Sequence, residues 1–197
     1  MAAPIEELTK DGYDLQFGVN VLGHFHLTSL LMPAILASPS PRIVNVTSKG
    51  HQWPMPEGVD FKKVKGPKTA TKVPGGQLMQ RYQYYGQSKL GNILHANELA
   101  RRYADNGLVA ISVHPGFVKT DLQRSFSTGA NLFTNITARM AHGGKVFNTT
   151  EGAVTQLYAA NAPEAKGLSG KVSTTGIDPN ALLTPSGRFS ISSPSPK

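Results

Sequence analysis

The sequence contains no cysteine, which excludes a disulfide framework and a thiolate metal site. Charged residues are also sparse, at 16% against 39% hydrophobic residues, and this balance favours an ordinary globular domain over a disordered chain. The 197 residues suffice for one domain with its own core, but not comfortably for two. Because the lack of cysteine agrees with a reducing compartment, we expect a cytoplasmic protein.

Long hydrophobic runs are missing as well. The longest apolar stretch, Val21–Leu36, is interrupted by His24, His26 and Pro33. It is too short and too polar for a membrane span, so we expect a buried helix there and no transmembrane segment. Residues 6 and 7 are acidic where a signal peptide would be apolar, so no secretory leader is expected.

Acidic residues are absent from one long segment of this basic chain. The net charge is +8, and no acid occurs between Asp60 and Glu98. The lysines of this segment could form a nucleic-acid patch or a solvated loop. No aromatic residue interleaves the five lysines between Lys62 and Lys72, as base stacking would require. We therefore predict a solvated loop and no nucleic-acid partner.

The hydrophobic pattern predicts an α/β fold in which a parallel sheet is flanked by helices. Strand, helix and strand follow one another in a right-handed unit, which makes the strands parallel. We place the folded domain at 1–172 and a disordered, Ser/Pro/Thr-rich tail at 173–197. The predicted elements are a helix over 11–37 capped by Asp11, a strand over Arg42–Ser48, a long loop over 49–80, a helix over 81–106, a strand over Val109–Val113, a helix over Thr149–Ala160 and a short strand around Leu168–Val172.

Three features of the sequence converge on the carboxyl edge of this sheet, where α/β folds bind ligands. Ser48 closes the first strand, a Pro115-Gly116 turn follows the second, and Tyr85 and Lys89 share one face of the connecting helix. A tyrosine–lysine pair alone could be a surface tyrosine beside a solvated lysine. An ammonium about 4 Å from the phenol would, however, lower its pKa by about three units at an effective dielectric near 20. The six histidines show no ligand spacing, so no metal site is predicted.

Four segments resemble the short-chain dehydrogenase/reductase family. They are FGVNVLGHF at 17–25, RIVNVTS at 42–48, YGQSK at 85–89 and HPGFVKTDL at 114–122. The resemblance runs from about Ile5 to Gly170 and is nearest to the retinol-dehydrogenase-like and WW-domain-oxidoreductase-like members. It implies a partial Rossmann-type fold, an NAD(P) cofactor with NADP slightly preferred, and a small lipophilic alcohol or carbonyl substrate.

The resemblance also implies a role for each matching residue. Asn20 matches an asparagine that positions a proton-relay water, and Ser48 a serine that orients the substrate. Tyr85 matches the acid/base, and Lys89 the lysine that lowers its pKa and holds the nicotinamide ribose. From the residues alone, Asn20 could instead be a satisfied core amide and Ser48 a strand-end cap. The implied cofactor contacts are Asn20, Tyr85, Lys89, Pro115, Gly116, Val118 and Thr120.

The sequence departs from the family pattern at both ends. No Gly-x-Gly or Gly-x3-Gly pair occurs among its 20 glycines, so the phosphate-binding fingerprint is absent. Against the family pattern, Met1 aligns after the fourth strand, which would leave Arg42–Ser48 as an open sheet edge. We therefore expect a homodimer or other self-association. Two hypotheses remain: an NAD(P)-dependent oxidoreductase, or a non-catalytic remnant that acts as an interaction or dimerising module.

Overall fold

Three helices and one four-stranded sheet make up the part of the chain that this computed structural model describes, which is residues 3–52, 58–65, 76–120, 146–174 and 191–192. The helices are α1 (Leu15–Leu36), α2 (Gly76–Arg102) and α3 (Thr149–Asn161). The strands are β1 (Arg42–Val46), β2 (Val109–His114), β3 (Val172–Thr174) and β4 (Ile191–Ser192). Short 3-10 turns lie at Lys49–Gln52, Phe61–Lys63, Ala104–Asn106 and Pro163–Leu168.

The sheet has the order β1-β2-β3-β4. β1 pairs with β2 and β2 with β3 in parallel, whereas β3 pairs with β4 antiparallel. The α/β class and the parallel sheet predicted from the sequence are therefore confirmed. In this register Val46 stands opposite Val113, and β1 lies at the edge of the described sheet.

The core forms on both faces of β2, every residue of which is buried. Alternate residues of a strand point to opposite faces, so its valines and isoleucine meet α3 while its alanine meets α2. On the α3 face the cluster consists of Val109, Ile111, Val113, Ala159, Ala165 and Leu168. On the α2 face it consists of Leu99, Leu108 and Ala110, with Met32, Ile35 and Leu36 of α1 packed against it.

Helix α1 begins later than predicted. The side chain of Asp14, not Asp11, caps the helix by accepting a hydrogen bond from the Phe17 N–H at 2.8 Å. A π-helical turn over Gly18–Gly23 then separates two α-helical parts of α1. The turn contains Asn20, so the helix is irregular at a residue that the sequence pattern singles out.

The prediction that Val21–Leu36 is buried is wrong. Leu30 is 67% exposed, and Leu27 and Leu31 lie on the same outward face. Val46, at the free edge of β1, is 41% exposed. By length and composition, α1 also meets the requirements for a membrane-spanning helix. Helical periodicity correctly identified an apolar helix, but it does not report whether a neighbouring surface is present to cover it.

Other boundaries differ from the predicted ones at the ends of elements. β1 ends at Val46 rather than Ser48, and the chain from Pro163 to Leu168 forms a 3-10 turn, so the strand predicted around Leu168–Val172 lies later, at Val172–Thr174. The predicted tail at 173–197 contributes the end of β3 and all of β4. Its other residues, and residues 53–57 and 66–75 of the predicted loop at 49–80, lie outside the described part of the chain.

Two of the lysines that suggested a nucleic-acid patch have partners within the chain. The Lys63 ammonium pairs with the Asp60 carboxylate at 3.1 Å. The Lys65 ammonium lies 4.9 Å from the centroid of the Tyr13 ring. The Lys65 contact, together with the Asp14 N–H that donates to the Val64 carbonyl at 2.8 Å, holds the 58–65 segment against the start of α1.

Gly91 permits the close packing of α2 on α1. A methyl group at this position would come within 2.8 Å of Cγ2 of Val21, whose branched side chain is stiff in a helix. Gly91→Ala would ordinarily stabilise a helix by about 0.5–1 kcal/mol. Here we expect overpacking to prevail and the free energy of unfolding to fall by about 1–3 kcal/mol, measured by urea denaturation.

The matched control is Gly167→Ala, where an added methyl group meets nothing within 4 Å. It should leave the unfolding free energy within about 0.5 kcal/mol of the original value. Equal effects of the two substitutions would contradict the close helix contact.

Candidate active site

The hydroxyls of Ser48 and Tyr85 meet at the carboxyl end of β1. The Thr47 N–H donates to the Val113 carbonyl at 2.8 Å, which extends the parallel register just beyond the strand. Ser48 follows and is hydrogen-bonded to the side chain of Tyr85, which projects from α2. The Ser48 hydroxyl also accepts the N–H of Gly50 at 3.2 Å. The serine is thus fixed by the turn that follows it and faces the phenol.

The ring of Tyr85 packs on the backbone at Gly50. A Cβ atom there would stand 3.3 Å from two ring carbons, Cδ1 and Cε1, which is tighter than most such contacts. Tyr85 itself is buried, at 8% exposure. The turn at Lys49–Gln52 therefore covers one side of the phenol and limits its contact with water.

Lys89 lies one helical turn after Tyr85. Its Nζ is 5.7 Å from the centroid of the Tyr85 ring and donates to the Val46 carbonyl at 3.1 Å. Nδ2 of Asn92 donates to the same carbonyl at 3.1 Å. The Lys89 carbonyl accepts the Thr47 hydroxyl at 2.8 Å. Lysine and tyrosine thus share one face of α2, above the end of β1.

The electrostatics of the phenol differ from the sequence-based expectation. Burial raises the pKa of Tyr85, and the hydrogen bond to Ser48 offsets only part of that increase. Burial likewise lowers the pKa of Lys89, because it disfavours the ammonium. The expected lowering by Lys89 is not seen, since its Nζ is turned to the Val46 carbonyl and desolvation dominates.

The pKa of the neighbouring tyrosine is shifted in the same direction. Burial, together with the carboxylates of Asp14 and Asp60, raises the pKa of Tyr84 to about 12. Tyr84 packs in the core beside Ile5 and not at the carboxyl edge of the sheet. Two adjacent tyrosines therefore stay protonated at neutral pH, and only Tyr85 contacts Ser48.

Asn20 reaches the same helix from α1. Its Nδ2 donates to the Ser88 hydroxyl at 3.0 Å, and this hydroxyl donates to the Tyr85 carbonyl at 2.8 Å. Sequence reasoning missed Ser88, which is fully buried. Its place in the YGQSK segment, one residue before Lys89, was the available signal. The structure thus joins Asn20 to the backbone of Tyr85 through one serine.

The other predicted cofactor contacts follow β2. By the register of Val46 with Val113, Pro115 lies at the level of Ser48, and Gly116 adopts a positive φ of 82°. Val118 packs against Gly152 of α3, where no larger residue would fit, and Thr120 is exposed. Pro115 and Gly116 thus share the edge with Ser48 and Tyr85, whereas the Val118 side chain is engaged with α3.

The fold and site define an α/β protein with a tyrosine, a serine and a lysine gathered at the carboxyl edge of a parallel sheet. A solved 4-hydroxyisoleucine dehydrogenase complexed with NADH shares this fold, with a TM-score of 0.59 over 88% of this chain and 61% of that one. The two are 16% identical in sequence, so the likeness concerns the fold alone. No protein-family model matches the chain.

Curated proteins show what the chain is similar to. A short-chain dehydrogenase/reductase of Armillaria gallica is 41% identical over 87% of this chain and 51% of the relative. Short-chain dehydrogenase TIC 32 B of Brassica napus is 33% identical over 85% of this chain and 50% of the relative. Human retinol dehydrogenase 14 is 34% identical over 83% of this chain and 44% of the relative.

The chain is a homologue of the short-chain dehydrogenase/reductases, including retinol dehydrogenases, as the sequence motifs predicted. It spans about half the length of the curated relatives that it matches.

The Ser48 hydrogen bond is expected to tune the ionisation of Tyr85. Because this bond favours the phenolate, Ser48→Ala should raise the pKa of Tyr85 further above its ordinary value. The measurement is a spectrophotometric tyrosinate titration, taken as the difference between each protein and its Tyr85→Phe counterpart. Ser29→Ala, which removes an exposed serine hydroxyl of α1, is the control and should leave the midpoint unchanged. An unmoved or lower midpoint in Ser48→Ala would contradict the contact.

Proposed function

We propose that this chain belongs to an NAD(P)-dependent oxidoreductase in which Tyr85 is the acid/base for a carbonyl or alcohol substrate. The observation that carries the proposal is the hydrogen bond between the Tyr85 phenol and the Ser48 hydroxyl, with Lys89 on the same helix face. Homology to short-chain dehydrogenase/reductases supports the class of chemistry.

The residues at the edge fit a nicotinamide cofactor. An ammonium has three N–H donors, and Lys89 uses one of them on the Val46 carbonyl, so two remain for ribose hydroxyls. The turn at Pro115 and Gly116 lies level with Ser48, where the nicotinamide ring would rest. A bound nicotinamide supplies the hydride. NADP is our preferred form, by resemblance to the family.

The chain's own groups would handle the proton. A phenol whose pKa is raised by burial carries its proton at neutral pH, which suits donation to a carbonyl oxygen as hydride reaches the carbon. The Ser48 hydroxyl would hold that oxygen beside the phenol. We propose this proton donation for carbonyl reduction, with alcohol oxidation as the reverse reaction. Alcohol oxidation needs the phenolate, so Lys89 would first have to turn from the Val46 carbonyl towards the Tyr85 oxygen.

The substrate we propose is a small lipophilic carbonyl compound or alcohol. Support comes from the relatives named retinol dehydrogenase, since the described part of the chain specifies no single molecule. Tyr85, Ser48 and the covering turn at Lys49–Gln52 provide one polar position in a largely buried setting. Such a setting suits an apolar molecule with a single oxygen.

A second candidate function, a non-catalytic dimerising module, is favoured by a different observation. Leu27, Leu30 and Leu31 of α1 form a continuous exposed apolar face, and β1 is the edge strand of the described part of the sheet, with Val46 exposed. Surfaces of this kind mark association sites. We propose that the chain self-associates through this face, whether or not it also catalyses a reaction.

The enzymatic proposal predicts saturable cofactor binding and turnover that depends on one phenol. NADPH and NADH are titrated separately by the fluorescence of the reduced nicotinamide, and reduction of a medium-chain aldehyde is followed at neutral pH. Tyr85→Phe should lower kcat by about 100-fold or more, because it removes the proton donor. Tyr158→Phe, the same chemical change on α3, is the control and should retain turnover. Absence of binding at millimolar cofactor would sink the enzymatic proposal and leave the dimerising module.

The self-association proposal predicts a concentration-dependent assembly that fails when charge enters the α1 face. Leu30→Glu should shift the protein towards monomer in sedimentation equilibrium, because burying an unpaired carboxylate is costly. Leu157→Glu is the matched control, since this leucine of α3 is similarly exposed but lies away from α1. A monomer at all concentrations, before any substitution, would contradict the proposal.

A further inference from the structure

The π-helical turn of α1 redirects a backbone hydrogen bond beside Asn20. In a regular α-helix the N–H of residue 24 would donate to the carbonyl of residue 20. Here the backbone N–H of His24 donates to the Val21 carbonyl, three residues earlier. The turn over Gly18–Gly23 therefore loses the regular α-helical donor to the Asn20 carbonyl.

The imidazole of the same histidine contacts the Asn20 carbonyl instead. Nδ1 of His24 lies 2.9 Å from the Asn20 carbonyl oxygen. A carbonyl can only accept, so Nδ1 must carry the proton. The His24 side chain thus donates to the Asn20 carbonyl, whereas the His24 backbone N–H donates to Val21.

The other polar group of Asn20 points towards the site. Its Nδ2 donates to the Ser88 hydroxyl, which donates in turn to the Tyr85 carbonyl. Hydrogen bonds therefore connect the exposed imidazole to Asn20, and Asn20 through Ser88 to the backbone that carries the phenol. Ser88 is buried, so the inner part of this series is protected from competition by water.

We infer that His24 is a positioning residue, which holds the π-helical turn so that Asn20 stays on Ser88 and Tyr85 keeps its orientation towards Ser48. The inference rests on the proposed function of Tyr85. It deepens that function by adding a residue that touches neither substrate nor cofactor and acts through Asn20. Neither the sequence motifs nor the roles they imply assign anything to His24.

Three variants test whether the His24 imidazole has this role. His24→Ala removes the donor, whereas His24→Asn restores an amide N–H at the same number of bonds from Cα as Nδ1. His26→Ala is the control, because this histidine is also exposed on α1 and contributes no bond to the series. Both alanine variants carry the same gain in helix propensity, so a difference between them reports the hydrogen bond.

Two measurements separate positioning from general stability. Hydrogen–deuterium exchange of the Gly18–Gly23 amides should be about three- to tenfold faster in His24→Ala, in keeping with the loss of one hydrogen bond. The kcat for aldehyde reduction should fall at least about threefold while KM is unchanged, because the substrate does not touch His24. His24→Asn should recover both values, and His26→Ala should match the unsubstituted chain.

Equal exchange and equal kcat in His24→Ala and His26→Ala would overturn the inference, as would a His24→Asn variant as impaired as His24→Ala. Failure of the proposed function would give a different experimental result. If exchange responds as expected while turnover is insensitive to Tyr85→Phe, the role given to Tyr85 falls and the His24 bond stands.

Discussion

The site depends on the polar contact between α2 and the open edge of β1. The Thr47 N–H points to β2, so the Val46 carbonyl, one residue earlier, points to the side where no strand pairs with β1 among the described residues. This carbonyl therefore needs a donor from outside the described sheet. Lys89 and Asn92 of α2 both donate to it, and Nδ2 of Asn45 donates back to the Asn92 carbonyl at 3.1 Å.

These bonds fix the height and rotation of α2 above the strand. Asn92 and Lys89 are three residues apart, and Tyr85 is one further turn towards the start of the helix, so the face that satisfies β1 also carries the phenol. With the helix held at this register, the Tyr85 side chain is hydrogen-bonded to that of Ser48. A slip of one residue along the helix would rotate this face by about 100° and separate the two hydroxyls.

The elements that could be predicted from the sequence are those set by local spacing. Tyr85 and Lys89 share a face because four residues make about one helical turn, and the β-branched run at Arg42–Val46 forms a strand because such residues fit a pleated, half-buried surface. The exposure of α1 does not follow from periodicity, because periodicity records an apolar stripe but not its neighbour. The link from Asn20 to Ser88 joins residues 68 positions apart, and no local pattern reports it.

The direction of the Tyr85 pKa shift also differs from the sequence-based expectation. A pairwise estimate from the sequence places an ammonium beside a phenol and obtains a lowered pKa. Folding adds desolvation of both groups and gives the ammonium another acceptor, and the sign reverses. Sequence spacing therefore identified the chemical groups. Their protonation states depend on burial and on the hydrogen bond that Lys89 donates to the Val46 carbonyl at the edge of β1.

The candidate site at the carboxyl edge of the sheet and the apolar face of α1 are held by separate contacts. The start of α1 is fixed by the Asp14 cap and by Val21 packed over Gly91, and these contacts place Asn20. The far end of α1 packs against the core near Leu99. The exposed leucines lie between these two attachments and face away from α2. A partner that covers them would therefore leave the hydrogen bonds from Asn20 to Tyr85 in place, so that the proposed association and the proposed acid/base chemistry would be independent of each other.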